Sequence, residues 1–434
     1  MESKVPLVCT ALFLTALAVP QAQRGAAGPV TAIVGARLID GTGGAPVDNS
    51  VVIVNGDRIT AAGARASVQI PRDATVVDAA GKTLIPGLVD AHYHLNQPPE
   101  EMKRLFLVAL HWGVTTFRVT GNDKREAVSI YHQVQKGEIP GPRVYTAGQG
   151  FSVSGPYADA PVFRPKTPEE ARADVQDLKK QGVDFVKLWM TGGNFPPPIV
   201  SAIVDEAKRQ GVPLVTHVTE QESLHQLADL GVTDFMHEPT DNGKQPITPE
   251  LIAYIKAHHI SFVPTIANGE SGYYYVEHPE FLSMGPKLDG FYARGRARLT
   301  DPAYRKTTLE DPRLPERKVR IKEMLPFVKL MHDNGVRVVT GTDGGAEASQ
   351  TTPIGHSTHR EVQLFVEAGV PPLAAIRDAT LDAARVLERT ENPTYGSIQA
   401  GKAADVVLLD ADPTRDIYNI DKISRVMRAG KWVD

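Results

Sequence analysis

Two histidines in one short apolar segment are the residues whose types and spacing most directly indicate chemistry. The segment is Pro86-Gly-Leu-Val-Asp-Ala-His-Tyr-His94, which has the composition of a buried strand. Because successive side chains of a strand point to opposite faces, His92 and His94 should share one face. Two neutral imidazoles that converge on one point are natural metal ligands. The spacing by itself does not establish a metal site, so the interpretation depends on residues downstream.

Four further polar residues end later apolar strands. They are Lys187, His217, His237 and Asp343. Each has an ordinary structural alternative: a hydrogen-bonded core histidine, an ion-paired lysine, or an aspartate in a turn. Packed together with the two histidines and without a cation, these groups would leave many buried polar atoms to satisfy. Two divalent metal ions would satisfy them.

The elements that must position these residues alternate between apolar strands and amphipathic helices. Eight strands alternating with helices over roughly 300 residues predict an α/β fold, a (β/α)8 TIM barrel with insertions. The C-terminal ends of barrel strands converge on the active site, which would bring the six polar residues together. The strand candidates are residues 88–94, 115–120, 143–147, 185–189, 213–218, 234–237, 261–265 and 336–342.

The sequences at both ends of the chain have a different pattern, which predicts short β segments separated by turns. Neither end has enough strands to bury a face alone, so we expect them to pair into one small β-sandwich. The Asn55-Gly56 pair after an apolar run predicts a hairpin there. The predicted organisation is a sandwich from residues 29–85 and 391–434 around a barrel of residues 86–390.

Residues 1–23 have the charge, length and order of a secretory signal peptide, with a buried first helix as the alternative. This predicts a periplasmic or secreted protein with no stable membrane anchor after signal cleavage. Cys9 is the only cysteine, so the mature chain would have no disulfide. The net charge of −4 has interleaved signs and provides no basic stripe for nucleic acid.

From about residue 30 to its end, the chain resembles the amidohydrolase superfamily. The strand-end order His-x-His, Lys, His, His and Gly-Thr-Asp carries this resemblance. Two longer motifs sharpen it toward the imidazolonepropionase-related branch that includes prolidase-like Xaa-dipeptidases and ochratoxin-type amidases. These motifs are Asp184-Phe-Val-Lys-Leu-Trp-Met-Thr-Gly-Gly193 and Gly396-Ser-Ile-Gln-Ala-Gly-Lys-Ala-Ala-Asp-Val-Val-Leu-Leu-Asp410.

The resemblance implies a dinuclear metal site. Lys187 would react with CO2 and become a bridging carbamate. His92, His94 and Asp343 would hold one metal, and His217 and His237 the other, with zinc the favoured ion. A metal-bridged hydroxide would attack the amide carbon of a dipeptide, an N-acyl amino acid or a related amide. Asp343 would carry the proton from the nucleophile to the leaving amine.

Other activities stay open from the residues. His217-Val-Thr-Glu220 also resembles the mononuclear deaminase and chlorohydrolase branch, in which a glutamate moves protons. A cyclic amidohydrolase of the imidazolonepropionase type and a non-catalytic scaffold are further alternatives. The context of Lys187 favours dinuclear amide hydrolysis, because the deaminase branch does not need a bridging lysine.

Substrate contacts are less readable. Arg118 could bind a substrate carboxylate or be a buried structural arginine, and Tyr157 could hydrogen-bond a substrate carbonyl or carboxylate. Glu238 is a candidate to orient a ligand imidazole. The insertion of residues 270–330 is either a lid or an ordinary solvated helical surface. The partner we expect is a small-molecule or dipeptide substrate, and formation of a homo-oligomer is left open.

Overall fold

The computed structural model describes residues 30–95, 97–153, 161–190, 195–241, 243–345 and 351–434. Within these ranges the chain is an α/β protein with four sheets. The predicted signal peptide and Tyr157 lie outside the described residues. None of the helices in the described ranges is long and apolar enough to span a membrane.

Eight parallel strands form the interior, in two sheets of three and five strands. Each of the eight predicted strands is present, although most are shorter than predicted. The first sheet has the order β7 (Leu88–Tyr93), β8 (Val114–Val119) and β9 (Arg143–Thr146). The second runs β10 (Val186–Trp189), β11 (Leu214–His217), β12 (Asp234–Met236), β13 (Ser261–Val263) and β14 (Arg337–Val338).

Backbone hydrogen bonds link the two parallel sheets along both of their edges. On one side, Phe151 N donates to Lys187 O at 2.8 Å, just beyond β9 and inside β10. On the other side, Ala91 N donates to Thr340 O at 2.9 Å, and Asp343 N donates to His92 O at 2.7 Å. The ends of β7 and the segment after β14 are therefore held side by side.

Helices follow the interior strands and bury apolar faces against them. Their bounds are α1 (Pro99–His111), α2 (Arg125–Gln135), α3 (Pro168–Gln181), α4 (Pro197–Gln210), α5 (Gln221–Asp229), α6 (Pro249–Ala257), α12 (His356–Glu367), α13 (Pro372–Asp378) and α14 (Leu381–Glu388). The local sequence explains the limits of α3. Thr167 accepts a hydrogen bond from Glu170 N at its start, and Gly182 ends it with φ of +76°.

The segment between β13 and β14 is a helical insertion. It contains α7 (Ile266–Glu270), α8 (Tyr274–Glu277), a 3-10 helix (Pro279–Ser283), α9 (Ala293–Thr300), α10 (Pro302–Leu309) and α11 (Leu314–Asp333). The Tyr275 hydroxyl and His356 Nδ1 are 2.9 Å apart, which ties α8 to the start of α12.

Strands from the two chain ends lie together in one of the two remaining sheets. That sheet has the order β17 (Lys431–Trp432), β16 (Ile423–Arg428), β15 (Val406–Leu409), β6 (Thr83–Pro86) and β2 (Arg37–Leu38). A 3-10 helix, Ile417–Asp421, precedes β16. The other sheet is β4 (Arg58–Ala64), β3 (Ser50–Asn55), β1 (Val30–Val34) and β5 (Thr75–Asp78).

One apolar cluster joins these two sheets. It contains Ile33 and Val52 of the sheet with β1 and β3, together with Leu84, Val406 and Leu408 of the sheet with β6 and β15. The pairing of the chain ends predicted from the sequence is thus present as strand β6 against β15. The predicted hairpin is present as well, with Asn55 opposite Arg58 across the β3–β4 turn.

Candidate metal centre

Three ligand-type side chains meet where β7 ends beside the segment that follows β14. His92, His94 and Asp343, here the His92 group, place one ligand atom each within 4.8 Å of one another. The Nε2 atoms of His92 and His94 lie 3.1 Å and 2.9 Å from the same oxygen, Asp343 Oδ1. The two imidazoles therefore converge, as their spacing in the strand predicts, and they converge on a carboxylate.

The hydrogen bonds of His94 show that this arrangement suits a cation. Its Nδ1 lies 3.2 Å from the carbonyl oxygen of Gly121, which can only accept, so Nδ1 carries the proton of the neutral ring. The Nε2 lone pair then faces Asp343 Oδ1 at 2.9 Å. Two acceptors at that distance need a proton or a metal ion between them. A carbonyl that fixes the far nitrogen is a usual partner of a metal-binding histidine.

A second pair of imidazoles lies next to this group. His217 ends β11 and His237 follows β12, and here they are called the His217 pair. His237 Nε2 and His217 Nδ1 are 2.9 Å apart, and His237 Nδ1 is 2.9 Å from the Thr265 hydroxyl. The rings of His92 and His237 have centroids 5.3 Å apart, so the two sets of ligands are neighbours.

Lys187 of β10 is fully buried close to both sets. Burial is the main reason why the pKa values of His92, His217 and His237 are low, and the charge of Lys187 lowers all three further, so it lies within electrostatic reach of them. Among the described residues its Nζ has no hydrogen-bond partner. Burial, opposed by the charge of Asp343, lowers the pKa of the Lys187 ammonium to about 7.

Two glycines make the space for this lysine. Gly121 and Gly150 have φ of +98° and +71°, which a residue with a Cβ rarely adopts. A Cβ on Gly121 would lie 2.6 Å from the Trp189 ring and 3.0 Å from Lys187 Cγ, and one on Gly150 would lie 3.0 Å from Lys187 Cβ. The aliphatic part of the Lys187 side chain therefore packs against the backbone of these two glycines, which restricts the position of Nζ.

The backbone is unusual at three positions around the site. His237, Thr265 and Asp343 have φ of +70°, +58° and +50°, in the left-handed region. Such conformations cost on the order of 1–3 kcal/mol each and collect at functional sites. The three residues lie one, two and five residues beyond the ends of β12, β13 and β14, so the left-handed backbone redirects the chain just after these strands.

The ionisation of these groups matches what metal ligands require. Burial lowers the pKa of His92 and His217 well below the ordinary range and that of His237 to about 4, so the imidazoles are neutral. For Asp343, burial acts to raise the pKa, but His92 and His94 hold it well below its usual value. Neutral imidazoles and an ionised carboxylate are the metal-binding forms.

Three residues that the sequence did not single out support the His92 group. Buried Asp90 accepts hydrogen bonds from His92 N, from the backbone and hydroxyl of Thr342, and from Thr358. The Asn268 amide donates to Asp343 Oδ2 at 3.0 Å. Glu361 accepts from Ile266 N and Ala267 N and so fixes the helix that carries Asn268.

The comparison with known proteins agrees with this geometry. The model of the amidohydrolase family matches residues 83–433 of the chain. The chain belongs to the amidohydrolase family. It is 24% identical over 465 residues to ochratoxinase of Aspergillus niger, covering 93% of this chain and 86% of that protein. It is 21% identical over 370 residues to 5-methylthioadenosine/S-adenosylhomocysteine deaminase of Halalkalibacterium halodurans, covering 77% and 74%.

Among solved structures, this amidohydrolase resembles a prolidase-type protein from Bifidobacterium longum. The TM-score is 0.74 at 26% identity, over 94% of this chain and 95% of that one. The predicted membership in the superfamily and its prolidase-like branch is therefore confirmed. The protein is a hydrolase of carbon–nitrogen bonds, as predicted. Divalent metals are general in the family, and the His92 group is of a kind that holds one.

The residues predicted to contact substrate have different positions in this amidohydrolase. Arg118 is fully buried, donates to Ala91 O at 2.7 Å and pairs with the Asp234 carboxylate. Its donors are thus used within the protein, which favours the structural alternative left open by the sequence. Tyr157 lies outside the described residues.

Two glutamates near the His217 pair also have positions that the sequence did not reveal. Glu220 is exposed at the start of α5. Glu238 does not orient His237, because the Nδ1 of that ring is bonded to Thr265. Burial raises the pKa of the Glu238 carboxyl to about 8, with Arg320 acting in the opposite direction. Its buried carboxylate lines a cavity that also reaches the His217 pair.

Proposed function

We propose that the protein is a dinuclear metal-dependent amidohydrolase that cleaves an amide C–N bond of a dipeptide, an N-acyl amino acid or a related amide. The observation that carries this proposal is the position of Lys187. It is buried within electrostatic reach of the His92 group and the His217 pair, and its Nζ has no hydrogen-bond partner among the described residues. A mononuclear site would give this lysine no role.

In this proposal the His92 group would hold one ion and the His217 pair the other, and Lys187, as a carbamate, would supply an anionic ligand to them. The neutral amine adds to CO2, forming an N–C bond and releasing one proton. A pKa near 7 makes the neutral amine available at neutral pH. Zinc suits imidazole and carboxylate ligands. When bound, two such ions would lower the pKa of a water molecule and polarise the substrate carbonyl.

Asp343 is the group that moves the proton. Its Oδ2 is held by Asn268 and its Oδ1 faces both imidazoles of the His92 group. An ionised carboxylate with a fixed orientation can accept the proton of the nucleophile and pass it to the leaving amine nitrogen. The chain would thus supply both the ligand and the proton carrier through one residue.

We also propose that the eight interior strands close into a (β/α)8 barrel with a β-sandwich beside it. The backbone hydrogen bonds along both edges of the two parallel sheets support closure. The domain limits 29–85, 86–390 and 391–434 fit the change from mixed sheets to parallel ones near β6 and β15. Export through a signal peptide of residues 1–23, to the periplasm or the medium, remains part of the proposal.

The test counts metals and identifies the product. Full-length mature protein loaded with zinc should contain about two ions per subunit and release amine from dipeptides or N-acyl amino acids. One ion per subunit with ammonia released from a heterocycle would replace amide hydrolysis by deamination, the activity named for one relative. A chain that binds no divalent ion at all would support the scaffold alternative.

Lys187→Ala gives a second, independent test. Removing the bridging group should lower turnover by about 100-fold or more and reduce the bound metal, because a bridging ligand is lost. Short carboxylates such as acetate or propionate should restore part of the activity by occupying the vacated position. Wild-type activity in Lys187→Ala, or activity of the wild type that survives rigorous removal of CO2 during metal loading, would refute the carbamate.

A further inference from the structure

A cavity of about 410 Å³ opens beside the His217 pair, a volume within the range of small-molecule pockets. His217 and His237 line it on one side, and the loop after β12 and helix α11 of the insertion line it on the others. A group held there would be next to one half of the proposed metal site. The inference that follows rests on the proposed amide hydrolysis and concerns which amides are accepted.

One wall of the cavity is apolar. Met324, Phe327 and Leu330 of α11 line it together with Pro246 and Ile247 of the loop after β12. Phe327 is buried and the other two helix side chains are partly buried. This surface fits a bulky hydrocarbon side chain, since transfer of such a group from water to an apolar wall is favourable.

A buried polar group on the cavity surface is the side-chain carboxyl of Glu238. Glu238 is 9% exposed, and its Oε1 has no hydrogen-bond partner among the described residues. The other charged residues that line the cavity, Arg320 and Glu323, are exposed. A buried acceptor without a partner is costly, and a donor supplied by a bound molecule would remove that cost.

The structure assigns Glu238 as a specificity-determining residue that binds a protonated amine on the substrate, with the adjoining apolar group seated against α11. An ammonium bound at this place donates a hydrogen bond to Glu238 and favours the ionised form of that carboxyl group, whereas a second carboxylate is repelled. The amides accepted best would therefore carry a free amine and a large apolar group on the part held in this cavity. Acylation of that amine removes the charge and leaves a single N–H donor.

The experiment compares Phe-Gly with N-acetyl-Phe-Gly and Ala-Gly on the zinc-loaded full-length mature enzyme. We expect Phe-Gly to be preferred over the acetylated peptide by about tenfold or more, the usual effect of a charge-assisted hydrogen bond, and over Ala-Gly as well. Glu238→Gln should raise KM for Phe-Gly by about tenfold, reduce the preference for Phe-Gly over N-acetyl-Phe-Gly by a similar factor, and keep the metal content.

Glu220→Gln is the matched control, because Glu220 also follows an interior strand but is exposed and does not line the cavity. It should keep the preference for the free amine. Equal hydrolysis of both peptides by the wild type, or an unchanged preference in Glu238→Gln, overturns the role of Glu238 while amide hydrolysis stands. If the metal-loaded wild type cleaves N-acyl amino acids but none of the three peptides, this inference falls and amide hydrolysis stands, whereas failure on both kinds of substrate overturns the proposed function as well.

Discussion

The His92 group and the His217 pair are built from similar residues but differ in how they are enclosed. His92 and His94 are 1% and 2% exposed, and their support comes from Asp90, Asn268 and the carbonyl of Gly121. The rings of the His217 pair are partly exposed and line the cavity. The difference indicates that one half of the site is fixed by the fold, whereas the other half is shaped for access.

The largest effect is expected from a substitution of Asp343. This residue belongs to the enclosed His92 group, but 20% of its side chain is exposed. Asp343→Asn should lower kcat by about 10²- to 10⁴-fold through loss of the proton carrier, while the fold and bound metal are kept. The measurements are steady-state hydrolysis, metal content and thermal unfolding. Hydrolysis near the wild-type rate in this variant would show that another group moves the proton.

The supporting residues of the two halves should respond in different ways. Asp90→Ala leaves the buried donors of His92 and Thr342 without an acceptor and should lower the free energy of unfolding by about 2–5 kcal/mol. Thr265→Val removes only the hydroxyl next to His237 and should weaken binding of one metal ion by about 10- to 100-fold with little loss of stability.

Denaturant unfolding of the metal-free protein and competitive chelator titration measure these two effects. Thr265→Ser is the control for the second variant, because it keeps the hydroxyl and should retain metal affinity. If Thr265→Val destabilises the fold as much as Asp90→Ala does, the two halves are equally structural and the contrast fails.

The remaining expected effect depends on pH and is at Glu361, whose carboxylate accepts hydrogen bonds from the first residues of α7. Burial raises the pKa of its carboxyl from an ordinary 4.5 to about 8. The folded state therefore binds this proton more tightly than the unfolded state. The resulting stability is fully present below pH 4.5 and is lost as the pH rises to about 8, by up to about 1.4 kcal/mol per pH unit.

Glu361→Gln should accordingly flatten the fall of the melting temperature between pH 5 and pH 8. Glu222→Gln, which changes an exposed carboxylate on α5, should leave the fall as it is in the wild type. Parallel pH profiles for the wild type and Glu361→Gln would show that Glu361 is ionised in the folded state throughout this range.

The interior strands and the meeting of their polar ends could be predicted because both follow from local patterns. Apolar runs of four to seven residues mark the strands, and parallel strands bring their carboxyl ends to one side. This reasoning placed His92, His94 and Asp343 together correctly, although Asp343 and His92 are far apart in the chain. It overestimated β14, whose regular pairing with β13 ends at Val338, after which the chain makes single hydrogen bonds to β7.

The supporting contacts could not be predicted, because each joins residues with no common pattern. Asp90 bonds to Thr342 and Thr358, which are more than 250 positions away in the sequence. Asn268 lies in the helical insertion and not at the end of a strand. The left-handed φ of His237 and Thr265 has no signal such as glycine. Arg118 illustrates the same limit, since only the fold shows that Asp234 neutralises it.

The pairing of β6 with β15 has a consequence for the order in which the molecule can mature. β6 leads through Gly87 into β7, the strand that carries His92, and Gly87 N donates to Asp405 O at 2.9 Å. The partner of β6 in this sheet is β15, which follows all of the interior strands in the sequence. During synthesis, β6 and the N–H of Gly87 therefore lack these partners until all of the interior strands have emerged, although β7 itself can already pair with β8. The sheet that contains β6 is thus completed only after every residue proposed to bind metal has been synthesised.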